Sequence, residues 1–142
     1  MTQVGTLDRA GYLLKRAQQA LRQACDEQLR PIGLSMSQYA VLQALAEHPG
    51  VSSAELARRC FVTRQSLRDV LKGLKEAGLV TVAAEASGGR ARPVTLTPSG
   101  EAHLEGAHRL VAEVEERMLT GISDPQRRQL AGLLQACAEN LG

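Results

Sequence analysis

The stretch from Ser52 to Leu96 reads SSAELARRCFVTRQSLRDVLKGLKEAGLVTVAAEASGGRARPVTL and decides the fold. Helical periodicity runs through its first part, stops for a turn at Phe61-Val62 and resumes over a second helix. A short β-branched run, a loop rich in glycine and arginine, and a returning strand follow. This order is typical of a helix-turn-helix followed by a β-hairpin wing, a unit that places its second helix in the major groove of DNA.

Capping residues mark the ends of both helices of this unit. Ser52 and Glu55 have the spacing of a capping box, and Thr63 is placed to cap the second helix through its side-chain oxygen. Gly78 follows that helix, where a left-handed residue commonly closes one. We therefore predict a recognition helix over Thr63–Ala77. Its buried stripe consists of apolar residues in steps of three and four: Leu67, Val70, Leu71 and Leu74.

The wing is predicted from three short segments. Leu79–Ala84 is β-branched and strand-like. Glu85–Arg92 contains serine, glycine and arginine and is typical of a basic hairpin loop. Pro93 leads into Val94–Leu96, a short edge strand in which a proline is tolerated.

Basic residues concentrate in the same part of the chain. Between Ser52 and Arg92 there are eight Lys or Arg and four Asp or Glu residues, a balance of +4. The whole chain carries +2, so the remainder carries −2. A basic module between near-neutral or acidic segments indicates a polyanionic partner. A solvated helix face is the alternative, since two or three surface arginines are unremarkable.

Amphipathic helices are predicted on both sides of the module, so the fold class is mainly α with a small β-wing. Leu7–Leu29 has small or apolar residues at the helical period. The later helices begin at recognisable caps: Ser35 with Gln38, Thr97 with Pro98, and Ser123 with Gln126. One small domain cannot easily bury three long amphipathic helices alone. A two-fold dimer with interleaved terminal helices covers them, and a monomer that folds them onto the module is the alternative.

Length and composition bound the class of protein. A chain of 142 residues with 44% hydrophobic residues can bury a core without disulfides or metal. Its aromatic residues are only Tyr12, Tyr39 and Phe61, so we expect a core of leucine, valine and alanine. No apolar run approaches the ~20 residues that span a bilayer, and no secretory signal is visible. We expect a soluble, cytoplasmic protein.

Cysteine and histidine, the usual residues of redox and metal chemistry, are few and scattered. Cys25, Cys60 and Cys137 lack a C-x-x-C arrangement, so small buried apolar residues are the simplest interpretation and a sensing thiol is the alternative. The three histidines suit solvated helix faces: His48, His103 and His108. A zinc site made by one of them with a carboxylate or Cys25 is the alternative. No motif of hydrolytic or phosphate chemistry occurs, so we expect neither an enzyme nor a cofactor.

Four segments, in this order and at these spacings, resemble the MarR family of bacterial transcriptional regulators over nearly all of the chain. They are LSMSQYAVL at 34–42, LARR at 56–59, LKEAGLV at 74–80 and LTPSG at 96–100. The resemblance implies a homodimer that binds double-stranded DNA at a pseudo-palindromic operator, usually as a repressor. It also implies release from DNA by a small, often phenolic, effector or by thiol oxidation.

The resemblance also implies the domain organisation. A single MarR-like domain spans 1–142. Its winged helix-turn-helix DNA-binding lobe covers 34–96, and its helical dimerisation lobe combines 7–30 with 97–142.

The same resemblance implies which residues bind DNA and the effector. Arginine suits bidentate contact with guanine and glutamine suits adenine. Arg90 stands where the family has its wing arginine, a minor-groove probe that Arg92 supports. The DNA-contacting set is Thr63, Arg64, Gln65, Ser66, Arg68, Lys72, Arg90 and Arg92. The effector set, between the winged module and the dimer helices, is Tyr12, Arg16, Tyr39 and His103, with a packing role as the alternative for Tyr39.

Two residues depart from the family pattern. Gly88 stands where an acidic residue usually fixes the wing arginine, so ordering this wing on DNA costs entropy. Asp69 stands where an arginine is common, and its carboxylate repels phosphate unless it contacts cytosine N4 or pairs with Arg68 or Lys72. A winged-helix protein-interaction module with weak or lost DNA binding is therefore the alternative function.

Overall fold

The computed structural model describes Gly5 and residues 9–83 and 93–142 of the chain. Its elements are α1 (Ala10–Leu29), a 3₁₀ turn (Arg30–Ile32), α2 (Met36–Glu47), α3 (Ser53–Arg59), α4 (Arg64–Glu76), β1 (Val80–Val82), β2 (Val94–Leu96), α5 (Pro98–Met118) and α6 (Asp124–Asn140). The predicted class, mainly α with a small β-wing, is confirmed. The loop predicted at Glu85–Arg92 lies outside the described residues.

Most helices begin where the local side-chain chemistry predicts. Two complete capping boxes are present, Ser35 with Gln38 and Ser123 with Gln126. Thr97 caps α5, with Pro98 at its first position. Such caps satisfy backbone N–H groups that have no partner inside a helix.

The box predicted at Ser52 forms only in part. The Ser52 hydroxyl accepts a hydrogen bond from the Glu55 backbone N–H at 3.2 Å, as expected. The Glu55 carboxylate pairs instead with Arg58 and, at 3.2 Å, with Arg59. Two arginines one turn further along the helix therefore take the Glu55 carboxylate in place of the N-cap backbone N–H.

The core is built from leucine and valine around α2. Leucines from four helices are almost completely buried: Leu29, Leu42, Leu56, Leu67 and Leu74. Tyr39 is the aromatic residue among the buried ones. The stripe predicted on α4 is buried at Leu67 and Leu74 and half-buried at Val70 and Leu71. A core of aliphatic side chains, as the composition predicts, thus fixes α4 from one side.

A tight backbone junction connects the helix-turn-helix and its two strands to α5. The strands pair antiparallel, with Val80 opposite Leu96 and Val82 opposite Val94. Directly after β2, the Thr97 N–H donates to the Leu79 carbonyl at 3.0 Å, and the Thr97 hydroxyl donates to the Gly78 carbonyl at 2.7 Å. The same hydroxyl accepts from the Gly100 N–H at 3.0 Å. One threonine therefore ties the end of α4 to the start of α5.

Helix α6 projects from the fold on an arginine clasp. Arg127 donates from Nε to the Ile122 carbonyl at 3.0 Å and from Nη2 to the Leu119 carbonyl at 3.0 Å. Its Nη1 reaches the Glu116 carboxylate at 2.9 Å. No residue of α6 is buried, and the apolar stripe predicted on it is exposed: Leu130, Leu133, Leu134, Cys137 and Leu141. The clasp sets the direction of α6 while its apolar stripe stays uncovered in a single chain.

Large apolar side chains are also exposed on α1 and α5. Tyr12, Leu13 and Leu14 on α1 and Met118 on α5 are all accessible. None of the helices in the described residues combines the length and the apolar character needed to cross a membrane. Exposed apolar side chains of this kind are commonly covered by another protein surface.

Gly100 allows the close approach at the junction, and its substitution should destabilise the fold. A Cβ at this position would overlap the Leu79 carbonyl oxygen. We expect Gly100→Ala to lower the free energy of unfolding by about 1–3 kcal/mol, because backbone must shift to admit the methyl group. Gly106 of the same helix has no heavy atom within 4 Å of such a Cβ. Gly106→Ala, the matched control, should leave stability unchanged or raise it. Urea unfolding measures both, and equal losses would contradict the steric argument.

Candidate nucleic-acid interface

Helices α3 and α4 form a helix-turn-helix whose apolar residues fix it to the core. Leu56 and Ala57 of α3 are buried. Leu67 and Leu74 of α4 are seven residues apart, which is two helical turns, so they anchor the same side of α4. The opposite side of α4 is consequently free to face a partner.

Thr63 caps α4 as predicted. Its backbone is extended, with φ −74° and ψ 162°, and its Oγ1 accepts from the Ser66 N–H at 3.0 Å. The Thr63 hydroxyl also donates to the Ser66 hydroxyl at 3.1 Å. The first turn of α4 is thereby fixed, and the positive end of the helix dipole points outward from it.

The structure brings six of the eight predicted DNA-contacting residues onto one exposed element. Arg64, Arg68 and Lys72 follow one another at steps of four, so their cations line one side of α4. The six exposed residues are Thr63, Arg64, Gln65, Ser66, Arg68 and Lys72. Arg90 and Arg92, like Gly88, lie outside the described residues.

Asp69 contacts a neutral side chain. Its Oδ1 lies 3.5 Å from Nε2 of Gln65, one turn earlier. In the described part of the chain it makes no salt bridge, so the pairing with Arg68 or Lys72 considered from the sequence is absent. Asp69 and Gln65 therefore present a linked amide and carboxylate on the exposed side of α4.

Arg58 and Arg59, at the end of α3, carry positive charge that an acidic residue of the same helix partly offsets. Both are exposed, and both pair with the Glu55 carboxylate. Because one carboxylate is shared between two guanidinium groups, α3 retains a single net positive charge. The basic character of the described module therefore lies mainly on α4.

The turn predicted at Phe61-Val62 is present between α3 and α4. Its two residues lie in different environments. Val62 is half-buried and packs against the core. Phe61 is 94% exposed, and its backbone is left-handed with φ 55°.

A tyrosine–histidine pair links α2 to α5. The Tyr39 hydroxyl and Nδ1 of His108 are 2.8 Å apart, and the two rings meet edge to face at a centroid distance of 5.3 Å. Burial, together with the nearby Glu115 carboxylate, raises the pKa of Tyr39. Sequence reasoning missed His108 as a site residue, because 69 residues separate it from Tyr39 and no local pattern pairs them.

A cavity of about 470 Å³ opens beside this pair, between α2, β2 and α5. Its walls include Leu45, Leu96 and Leu104, and its polar lining residues are Thr95, Glu101, Glu105 and His108. A cavity of this size accommodates a small aromatic molecule.

The other predicted effector residues lie elsewhere in the single chain. Tyr12 and Arg16 are exposed on the first half of α1 and do not line this cavity. The His103 ring donates from Nδ1 to the Ser99 carbonyl at 2.9 Å. Of the four residues, the structure therefore brings only Tyr39 next to the α2–α5 cavity, through its bond to His108.

The thiols and imidazoles show little sign of reactive or metal chemistry. Burial raises the pKa of Cys25, with a further contribution from Glu115, and burial raises the pKa of Cys60 as well. Cys137 is exposed on α6. Within residues 9–83 and 93–142, no three His, Cys, Asp or Glu side chains are grouped to hold a metal ion. Protonated thiols are poor nucleophiles and poor metal ligands.

The sequence and the fold of this chain are both similar to those of known transcriptional regulators. A family model described as MarR family matches residues 32–91. The chain is 39% identical to the HTH-type transcriptional repressor Rv2887 of Mycobacterium tuberculosis, over 88% of this chain and 90% of the relative. It is similar to the structure of Rv2887 in complex with salicylic acid, with a TM-score of 0.75 and 39% identity over 94% of this chain and 96% of that one.

A second structure of the same relative contains nucleic acid. The complex of Rv2887 with DNA has a TM-score of 0.75 and 36% identity to this chain, over 91% of this chain and 97% of that one. Both the sequence and the fold are thus shared over most of the two proteins. This chain belongs to the MarR family of transcriptional regulators.

Proposed function

We propose that this protein is a cytoplasmic repressor, rather than an enzyme, that binds an operator in double-stranded DNA as a homodimer and leaves it when a small effector binds. The observation that carries this proposal is the exposed basic side of α4, fixed from behind by Leu67 and Leu74. The relative Rv2887 forms complexes with DNA and with salicylic acid. Two copies of α4 would meet successive major grooves about 34 Å apart.

Each exposed residue of α4 has a distinct role in this proposal. Arg64 and Gln65, in the first turn, read base edges, because the first residues of a recognition helix reach deepest into the groove. Arg68 and Lys72 bind phosphate. Thr63 and Ser66 fix the start of α4 and contact the DNA backbone. Arg90 and Arg92, outside the described residues, enter the minor groove from the wing.

Asp69 supports the second candidate function, a protein-interaction module. Its carboxylate contacts Gln65 and lacks a salt bridge in the described residues, so it places negative charge next to the proposed phosphate contacts. The DNA-binding proposal accommodates it if the carboxylate accepts a hydrogen bond from cytosine N4. Binding to duplex DNA separates the two functions.

Binding to DNA from upstream of its own gene should weaken steeply as salt rises, because phosphate contacts release counterions. Arg64→Ala should reduce discrimination between this DNA and random duplex by about tenfold or more, the value of one bidentate base contact. Fluorescence anisotropy over a salt series measures both quantities.

Arg109→Ala is the matched control for charge, since Arg109 is exposed on α5, away from α4. It should leave the discrimination ratio unchanged. An unaltered ratio in Arg64→Ala would remove Arg64 from base reading, and absence of binding by the unmodified protein would favour the protein-interaction module.

The dimer of this proposal covers the exposed apolar stripes of α1 and α6 with those of a second copy. The stripe of α6 contains four leucines and buries nothing in its own chain. The lobes proposed for the single domain, 34–96 for DNA and 7–30 with 97–142 for dimerisation, agree with the positions of these stripes.

Leu134→Glu should dissociate the dimer, because it places a charge within the apolar stripe of α6. Analytical ultracentrifugation should show a shift towards monomer and a loss of operator affinity. Arg128→Glu introduces the same carboxylate on the opposite side of α6, and there the protein should stay dimeric. Equal behaviour of the two variants would contradict the proposed interface.

The effector of this proposal is a small aromatic acid or phenol that binds next to Tyr39 and His108. The cavity between α2 and α5 has apolar walls, the His108 imidazole lines it, and the Tyr39 hydroxyl bonds to that imidazole. In this proposal Tyr12, Arg16 and His103 complete the site. Tyr12 and Arg16 reach it from α1 of the second copy.

Salicylate should lower the operator affinity of the unmodified protein, and Tyr39→Phe should reduce the ratio of affinities without and with salicylate at least about threefold. The expected size is that of one hydrogen bond lost on removing the hydroxyl. Tyr12→Phe tests the second tyrosine in the same way. A Tyr39→Phe variant with a lower melting temperature and an unaltered salicylate ratio would assign Tyr39 to packing alone.

A further inference from the structure

The turn between α3 and α4 has the hydrogen bonds of a Schellman motif with a phenylalanine at its left-handed position. The Val62 N–H donates to the Ala57 carbonyl at 3.0 Å, and the Phe61 N–H donates to the Arg58 carbonyl at 3.2 Å. This motif places its C′ residue, here Phe61 at φ 55°, in a conformation that usually selects glycine. A phenylalanine there strains the backbone.

Phe61 is the exception among the left-handed residues of the described chain. The other residues with positive φ are all glycines: Gly33, Gly50, Gly78, Gly121 and Gly142. The chain thus uses the unstrained residue at each of those positions and a bulky aromatic residue only at the turn before α4.

The side chain of Phe61 contributes little to the fold that could offset this strain. It is 94% exposed, so it removes almost no apolar surface from water. Its neighbours Cys60 and Val62 pack against the core and occupy the interior of the turn. The backbone strain and the exposed aromatic ring each lower the stability of the folded protein. Such positions are characteristic of functional contacts.

We propose that Phe61 contacts the operator, with its ring against a thymine methyl group or a deoxyribose next to the bases read by α4. This inference rests on the proposed function. Phe61 lies two residues before Thr63, so its Cα is at most about 7 Å from the residue that begins the DNA-facing helix. The turn that carries the ring therefore adjoins the start of α4, where Arg64 is exposed, and the ring also borders a depression lined by α2. Apolar contact with the thymine methyl is an established way to read that base.

Local charge favours DNA over a protein as the occupant. Arg58 and Arg59 precede Phe61, and Arg64 follows it, all three exposed. Of the nearby carboxylates, Glu55 is paired with the first two arginines and Glu47 borders the same depression as Phe61, so three cations and two carboxylates leave a positive balance of one. An apolar ring within a basic surface matches a groove edge, where phosphates flank sugars and methyl groups.

The test compares Phe61→Gly with Phe61→Leu. Phe61→Gly relieves the strain and removes the ring, so its melting temperature should equal or exceed that of the unmodified protein, while its operator affinity should fall about tenfold. Phe61→Leu keeps an apolar side chain and should retain affinity within about threefold. Since Phe61 is uncharged, the slope of affinity against salt should not change, whereas Lys72→Ala should reduce that slope by about one.

Operators in which deoxyuridine replaces thymine, one position at a time, locate the contact. If the ring meets a thymine methyl, one such replacement should weaken the unmodified protein and leave Phe61→Gly unaffected. If it meets only a deoxyribose, no replacement should distinguish the two proteins, although the tenfold loss remains.

Equal operator affinity of Phe61→Gly and the unmodified protein would overturn the inference. Equal affinity combined with altered expression of a reporter gene would assign Phe61 to a protein partner at the promoter. Failure of the unmodified protein to bind its upstream DNA would instead reject the proposed function, so the two failures are distinguishable.

Discussion

The structure depends on the backbone contact where α5 begins against the end of α4. Thr97 bonds to the carbonyls of Gly78 and Leu79, and Gly100 leaves no space for a methyl group beside Leu79. Helix α4 therefore cannot rotate at its C-terminal end without breaking two hydrogen bonds and opening a close contact. Because α5 packs against α1 and leads into α6, the direction of the exposed basic side of α4 is set by the part of the chain that carries the exposed stripes.

A second connection between the same two parts runs through α2. Tyr39 on α2 bonds to His108 on α5, and α2 packs against α4. The junction at Thr97 and the Tyr39–His108 pair hold the module at two separate points. The cavity between α2 and α5 borders both connections, because its lining includes Leu96 next to Thr97 as well as His108. Under the proposed function, an effector bound there would act on α4 through these two connections.

Sequence reasoning succeeded where the determining interactions are local. The boundaries of α4, the boxes at Ser35 and Ser123 and the cap at Thr97 each depend on residues within one turn. It failed in part at Ser52, because Glu55 had two arginine partners as well as the cap. The exposure of Phe61 could not be predicted from the sequence, because a large apolar side chain is usually buried.

Features of the candidate site that depend on tertiary contacts were harder to predict from the sequence. The exposed set on α4 follows from helical periodicity and a buried leucine stripe, so its members could be predicted together. The Tyr39–His108 pair could not, since its partners meet only after α2 and α5 have packed. The partner of Asp69 was also missed, because its Oδ1 lies close to a neutral amide instead of the neighbouring cations considered from the sequence.

The geometry of the DNA-binding surface depends on the association of two chains through α6. Within one chain α6 is held by the Arg127 clasp and the cap at Ser123, and it buries no residue. The leucines of α6 stabilise the protein only when a second surface covers them. The stability of α6 and the association of two copies are therefore linked. The same association fixes the distance between two α4 helices, which must match the spacing of operator half-sites. Operator affinity should therefore depend on protein concentration wherever that concentration approaches the dissociation constant of the dimer.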